Sequence, residues 1–411
     1  VVLYSIFEVM GEGRRVQSKP YCQFFAAFTC AELLKLRKLT PNECSFYQRH
    51  LMLDGFGTEA QEKLVNSSAL VVGAGGLGCP VLQYLASAGL GKIGVVDDDK
   101  VELSNLQRQT LYQIDDVGEL KVKVVERKLS LHNPNISIQA IALRIDSENI
   151  ENLFSEFDVI IDGSDNFSTR YLVNDMCVLL GKPLIFGAIF QFSGQLSVFN
   201  FNDGPTYRCL FPEPPGSNGL PACADAGVLG VLPGIIGSMQ ALEAIKVICG
   251  IGNVLSGKVL LYDALNQETK TVRLSLNKEN LKLDQFSHTF EAPTPCTLNS
   301  TADNHIVEIS SEELLTLMQN KEVLLLDVRE TWERNLSKVT PSIHHPLSEF
   351  INGLNENFPK DLSQEIAVYC KAGVRSMQAC EILQSHGYKK LFNLSGGMNE
   401  WQASDLPQDF D

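Results

Sequence analysis

From Asn42 onward, short apolar runs ending in glycine or small polar residues alternate with longer amphipathic stretches, as in a parallel sheet flanked by helices. Ser68–Val72 reads as a buried strand, Pro80–Ala88 as the helix after it, and Lys92–Asp97 as a second strand. The pattern continues with a helix over Val122–Asn133, a strand over Ile136–Ala142, and a strand over Val159–Ser164. Further strands are expected at Pro183–Gly187, as a pair around Gly194–Phe201, and at Val259–Asp263 before a short hairpin-like segment, with a long apolar helix over Val231–Cys249. Residues 284–304 lose this periodicity and gather Ser, Thr, Pro and Asn, which is linker composition. A smaller alternation follows, with strands at Ile306–Ile309, Val323–Asp327, Ile366–Tyr369 and Leu391–Leu394 and helices at Ser311–Gln319 and Arg375–His386. The expected fold class is α/β: a doubly wound sheet over residues 43–283, a linker over 284–304, and a compact second domain over 305–411. Residues 1–42 form an extension without a recognised motif.

Composition narrows the partners. A chain of 411 residues exceeds what one core usually organises. Its 34 Lys and Arg against 49 Asp and Glu leave a net charge of -15, which argues against nucleic acid as the main partner. That balance suits a basic protein partner, or is simply a solvated acidic surface. The 11 cysteines lack the spacing of a disulfide framework and no signal-peptide pattern precedes them, so reduced thiols and a cytoplasmic setting are expected. The longest apolar stretches, such as Gly227–Ile236, contain Gly and Pro and fall short of a membrane span. Glu8, Glu12 and Glu32, interspersed with basic residues, count against an organellar transit peptide.

The chemistry concentrates at strand ends. Gly73-Ala74-Gly75-Gly76-Leu77-Gly78 follows one strand and opens a helix, so backbone amides can approach a phosphate or ribose, and Asp97 ends the next strand where a ribose-binding carboxylate belongs. On these two features alone the reading is a dinucleotide-binding oxidoreductase, or merely a tight turn. The segment Ser104-Asn105-Leu106-Gln107-Arg108-Gln109 and then Lys121 add two cations at the same sheet edge, suited to a triphosphate and a departing pyrophosphate. Asp165 and Asn166 sit just past a buried strand, where a carboxylate can hold Mg²⁺ or where either residue can cap the next helix. In the second domain Cys370-Lys371-Ala372-Gly373-Val374-Arg375-Ser376 joins a strand to a helix, so its amides, the helix N-terminus and Arg375 can stabilise a thiolate or persulfide on Cys370. Asp327 and Arg329 read as structural anchors, and Cys380 as a packing residue.

The ordered set GAGGLG, Asp97 with Asp99, SNLQRQ, Lys121, SDN at Ser164–Asn166, YRCLFPEPP at Tyr207–Pro215 and CADAGVLG at Cys223–Gly230 resembles the MoeB/ThiF adenylyltransferases, relatives of ubiquitin-activating enzymes. The loop at Cys370, LLLDVRE at Leu324–Glu330 and LSGGMNEW at Leu394–Trp401 resemble a rhodanese domain. The resemblance implies a Rossmann-like first domain in which Gly76, Asp97, Ser104, Asn105, Leu106, Gln107, Arg108, Lys121, Asp165 and Asn166 surround ATP. Arg108, Lys121 and Asp165 are then the catalytic groups, with Asp165 holding Mg²⁺. Arg49, in FYQRHLML, matches an arginine that reaches the phosphates of a neighbouring subunit, which implies a homodimer. The implied substrate is a ubiquitin-like sulfur-carrier protein, adenylylated at its C-terminal glycine and converted to a thiocarboxylate for molybdopterin synthesis or tRNA thiolation. The persulfide loop is Cys370, Lys371, Gly373 and Arg375, loaded by a donor such as a cysteine desulfurase. Cys223 reads from its residues alone as a buried thiol; the resemblance places it near the adenylate, where it attacks an acyl group or resolves an acyl disulfide.

The chain departs from the family at its structural zinc. Thr206 stands where the first cysteine of a CxxC pair belongs, and Cys209 and Cys296 cannot assemble four thiolates, so no tightly bound zinc is expected. Two other classes remain open on sequence: a nicotinamide-dependent oxidoreductase, which leaves Arg108, Lys121 and the Cys370 loop without a task, and a non-catalytic module that docks a ubiquitin-like protein.

Overall fold

The structure, a computed structural model of the chain, describes residues 36–214, 227–282, 306–320, 323–352, 354 and 358–409. The extension through residue 35, the linker 284–304, Cys223 and Cys296 lie outside the described residues. Two compact units lie on either side of residue 294.

In the first unit the strands are β1 (Ser68–Val72), β2 (Lys92–Val96), β3 (Ser137–Ile141), β4 (Val159–Asp162), β5 (Leu184–Phe190), β6 (Ser193–Phe199), β7 (Lys258–Asp263) and β8 (Glu268–Arg273). They form one sheet in the order β3-β2-β1-β4-β5-β6-β7-β8. The first five are parallel and the last three add antiparallel hairpins. Covered on both faces, β1 (SALVV) and β4 (VIID) are apolar almost throughout, as central parallel strands must be. The segment expected to hold a strand pair near Gly194 is the single strand β6, paired with β5 and β7.

Helix Val231–Cys249 is long and apolar enough to cross a membrane by length and composition. Its polar residues show that it is instead a core helix of this unit. Gln240 is buried and donates to the Asp162 carbonyl at 2.7 Å, and the buried Glu243 accepts the Leu255 amide at 2.9 Å. Gly187 on β5 makes room for that glutamine, since a Cβ there would lie 2.4 Å from its side chain.

Residues 37–42, part of the sequence-defined extension, are tied to the unit. Arg37 and Asn66 exchange two hydrogen bonds at 2.9 Å, and Arg37 forks onto the buried Glu43 at 2.8 Å. Thr40 and Glu43 close a capping box at the start of helix Pro41–Phe46.

The second unit is a parallel sheet in the order β11-β10-β12-β13-β9, built from β9 (Ile306–Ile309), β10 (Leu324–Asp327), β11 (Ile343–His344), β12 (Glu365–Tyr369) and β13 (Lys390–Leu394). Two apolar clusters cover its faces, one around Val368, Cys380 and Leu383 and one around Tyr369, Met398 and Trp401. The central strand β12 runs directly into Cys370.

Candidate functional site

The first site opens at the carboxyl ends of β1, β2 and β4, where the strand order reverses between β1 and β4. Gly73, just past β1, has φ 89°, and a Cβ there would approach the Gly163 carbonyl oxygen to 3.0 Å. A Cβ on Gly78 would lie 2.0 Å from the Gly73 oxygen, so only glycine lets the turn fold back on itself. The closed turn presents the Ala74 amide to Asp97, whose carboxylate accepts it at 2.8 Å and the Asp99 amide also at 2.8 Å. Burial pushes the Asp97 carboxyl above its ordinary value, against the pull of Lys121. Lys121, itself buried, lies 2.7 Å from the Asp99 carboxylate and 3.9 Å from that of Asp97.

A cleft of about 500 Å³ occupies this edge, lined among others by Gly76, Asp97, Asn105, Gln107, Arg108, Lys121, Asp165 and Asn166. Five separate stretches of chain are thereby brought together. Asn105 is buried in the short turn Leu103–Asn105 and accepts the Glu102 amide at 3.2 Å, while the Arg108 guanidinium donates to the Ser104 carbonyl at 3.0 Å. Asp165 is exposed on the cleft wall. Asn166 caps helix Phe167–Leu179, its side-chain oxygen accepting the Thr169 amide at 2.9 Å. Ser104 and Leu106 belong to the same turn but not to the lining: the Ser104 hydroxyl donates to Glu102 at 3.0 Å, and Leu106 packs against the main core. Arg49 is exposed on helix Gln48–Leu51 and does not line its own chain's cleft.

Three cations in the cleft, Lys100, Arg144 and Arg170, were not anticipated. Arg144 follows β3 at the same sheet edge, so its place after a strand was the available signal. Arg170 gave none, because it lies within a helix. Buried beneath the Ser164–Asn166 loop, it donates to the Ser164 carbonyl at 3.0 Å and faces the buried Asp162, whose carboxyl burial pushes up while Arg170 pulls it down. Five basic side chains, with the exposed acids Asp98, Asp99, Glu102 and Asp165, around a glycine turn suit a polyphosphate accompanied by a divalent cation.

The second site is the turn after β12. The Cys370 thiol is buried and accepts from the Gly373 amide at 3.1 Å and the Ser376 hydroxyl at 3.4 Å. Gly373 has φ 88°, and a Cβ there would meet the Ser395 oxygen at 1.9 Å. Helix Gly397–Ala403 grips the loop from the other side, with the Met398 amide donating to the Cys370 carbonyl at 2.9 Å and the Asn399 amide to that of Lys371 at 3.0 Å. Lys371 is exposed. Arg375, expected to lend its charge to the sulfur, is forked onto Glu333 at 2.6 and 2.8 Å, a partner 42 residues away that packing supplies. Asp327 binds Arg329 at 3.0 and 2.8 Å beneath this region, and the Cys380 thiol is buried and pushed up by that burial.

Cys209 sits in a polar nest. Its sulfur accepts the amides of Thr206 and Asn277 at 3.4 and 3.3 Å and the Asn280 side chain at 3.4 Å. Burial raises this thiol, but the donors from Thr206, Asn277 and Asn280 bring it net below its ordinary value. Among the described residues, the His, Cys, Asp and Glu groups close enough to share an ion are Asp97, Asp98 and Asp99.

Comparison with known proteins matches residues 47–283 to the ThiF family and residues 310–404 to the rhodanese-like domain. The sulfur carrier protein adenylyltransferase of Thermus thermophilus is 51% identical over 243 residues, covering 58% of this chain and 90% of that protein. The adenylyltransferase and sulfurtransferase MOCS3 of Aedes aegypti is 37% identical over 392 residues, 91% of this chain and 90% of that protein. Among solved structures, E. coli MccB with MccA-N7isoASN superposes with a TM-score of 0.52 at 25% identity, covering 57% of this chain and 72% of that one.

Proposed function

The chain belongs to the ThiF family and carries a rhodanese-like domain after it, and on that premise we propose that it adenylylates a ubiquitin-like sulfur carrier and transfers sulfur to it. The observation that carries the reading is the cleft itself: Arg108, Lys121 and Asp165 converge on the glycine turn from separate segments. The carrier's terminal carboxylate attacks the α-phosphorus of ATP, the bond to the bridging oxygen breaks, and pyrophosphate leaves with the electron pair. Arg108 and Lys121 offset the charge that builds on that leaving group. We assign Asp165 to hold Mg²⁺, which would supply further neutralisation of the triphosphate and take most of its ligands from phosphate and water; Asp97, Asp98, Asp99 and Glu102 also line the cleft.

The terminal sulfur of a Cys370 persulfide then attacks the acyl carbon and AMP departs. A thiolate cleaves the resulting acyl disulfide, leaving a thiocarboxylate on the carrier and a disulfide on Cys370. Cys223 performs this cleavage or takes the acyl group itself. The product serves molybdopterin synthesis or tRNA thiolation, the sulfur comes from a persulfide donor such as a cysteine desulfurase, and Arg49 completes the cleft of a second copy in a homodimer. With Thr206, Asn277 and Asn280 around Cys209, we assign hydrogen bonding rather than zinc to that nest. Free thiols at the described cysteines accord with a reducing, cytoplasmic setting.

Intact-mass analysis of a carrier incubated with ATP, the enzyme and a persulfide donor tests the proposal. Conversion of the terminal carboxylate to thiocarboxylate is expected, and a carrier mass unchanged under all donors rejects it.

A further inference from the structure

The Arg375–Glu333 pair bears on which sulfur donors the Cys370 loop accepts, a question that rests on the reading of Cys370 as a persulfide carrier. Arg375 lies in the first turn of helix Val374–Ser385, beside the loop that cradles the sulfur. Both prongs of its guanidinium are held by one carboxylate, and the side chains of Arg375 and Glu333 are only 12% and 7% exposed. A two-pronged carboxylate uses the same edge of an arginine that an anionic donor would use. Glu333 is also fixed in advance. Its carboxylate accepts the Glu330 amide at 3.0 Å as the cap of helix Thr331–Leu336, and its carbonyl accepts from Arg329, the residue anchored on Asp327.

With that arginine matched by an acid, the groups that touch the sulfur are uncharged, namely the Gly373 amide and the Ser376 hydroxyl. Lys371 is exposed and offers a hydrated point charge rather than a fork. The residues that precede Glu333 and Arg375 in the chain, Trp332 and Val374, are exposed apolar side chains, 65% and 47% accessible. Exposed apolar side chains next in sequence to this pair suit a polypeptide donor better than a small dianion.

We infer that Glu333 is a specificity-determining residue of the sulfur loop: by occupying Arg375 it disfavours small anionic donors such as thiosulfate and leaves the loop selective for sulfur held on a protein persulfide. With thiosulfate, the Cys370 thiolate attacks the outer sulfur, the S–S bond breaks, and sulfite leaves with the electron pair. Cyanide then removes the transferred sulfur as thiocyanate and restores the thiolate.

The test is thiosulfate:cyanide sulfurtransferase kinetics on the full chain. Glu333→Gln keeps the helix cap and removes the charge, so the KM for thiosulfate should fall about tenfold, the scale of one charge-assisted hydrogen bond regained. The double variant E333Q/R375Q should lose that gain, whereas sulfur loading of Cys370 by a persulfidated cysteine desulfurase should change less than about twofold in E333Q, since its neutral cradle is intact. An unchanged KM in E333Q, or a gain that survives in the double variant, overturns the inference. Should E333Q fail to fold, Glu333→Asp, which pulls the carboxylate back by one methylene, should lower the KM by about threefold through a loosened fork, and an unchanged value again overturns it. A wild-type Cys370 that gains no sulfur mass from any donor marks failure of the persulfide reading itself, separable from failure of the Glu333 assignment.

Discussion

The glycine-lined cleft and the Cys370 loop handle charge in opposite ways. Along the edge of β1, β2 and β4, cations and acids arrive from segments near residues 97, 108, 121, 144, 165 and 170 around the glycine turn and leave a broad opening. Around Cys370, the sulfur meets an amide three residues on and a hydroxyl six residues on, and the nearby arginine is neutralised. A triphosphate is large and highly charged, so it requires full charges at several points and room between them. A thiolate is one atom with one charge, and fixed dipoles in a closed turn stabilise it without an ion that would also attract competing anions.

The largest effect should come from separating the two chemistries. Cys370→Ser should abolish thiocarboxylate formation while leaving ATP–pyrophosphate exchange within about twofold, because Cys370 belongs to the second unit and the cleft to the first. Arg108→Ala should instead lower exchange by about a hundredfold or more, the scale of one lost charge-stabilising group. Equal loss of both activities in C370S would break the comparison.

Part of this contrast could be read from the chain alone. GAGGLG and CKAGVRS are contiguous, and a contiguous motif carries its own backbone geometry, so both turns and the strands feeding them were legible. Arg170 was not, since nothing local distinguishes it from any other helix residue; its burial under Ser164 depends on how the helix meets β4. The same holds for Asn277 and Asn280, which reach Cys209 across 68 and 71 residues.

A second, smaller effect tests how closed the sulfur turn is. Gly373→Ala places a methyl against the Ser395 oxygen at a left-handed φ, so it should destabilise the rhodanese-like unit by about 1–3 kcal/mol and cut persulfide loading. Thermal unfolding of the full chain followed by limited proteolysis should show the loss confined to residues after 294. A variant as stable and as readily loaded as the wild type would show that the turn is not closed in solution.

The smallest effect compares the two forked Arg–Glu pairs. Hydrogen bonding to Arg37 holds the Glu43 carboxyl at about 2, below its ordinary 4.5, and hydrogen bonding to Arg375 also lowers Glu333, against its burial. A carboxyl depressed in the folded state adds stability above its unfolded value, and that contribution disappears as the pH falls through the folded value. Stability of the first unit should therefore decline between pH 4.5 and about 2, and Glu43→Gln should flatten that part of the profile. With Arg37 partly exposed, the change should be about 1 kcal/mol after solvent screening. An unaltered acid limb in E43Q would remove this pair from the account.

What the sequence by itself determined was the set of elements and turns: apolar runs of four to seven residues specify strands, and glycines at Gly73, Gly78 and Gly373 permit backbone paths closed to other residues. Tertiary structure decided which charges face which. Glu333 and Arg375 are 42 residues apart, and whether that arginine serves the sulfur or an acid is settled only when helix Thr331–Leu336 packs beside the loop. Backbone conformation follows from local sterics over a few residues, whereas the pairing of long charged side chains follows from distances that exist only once the sheet and its helices have assembled.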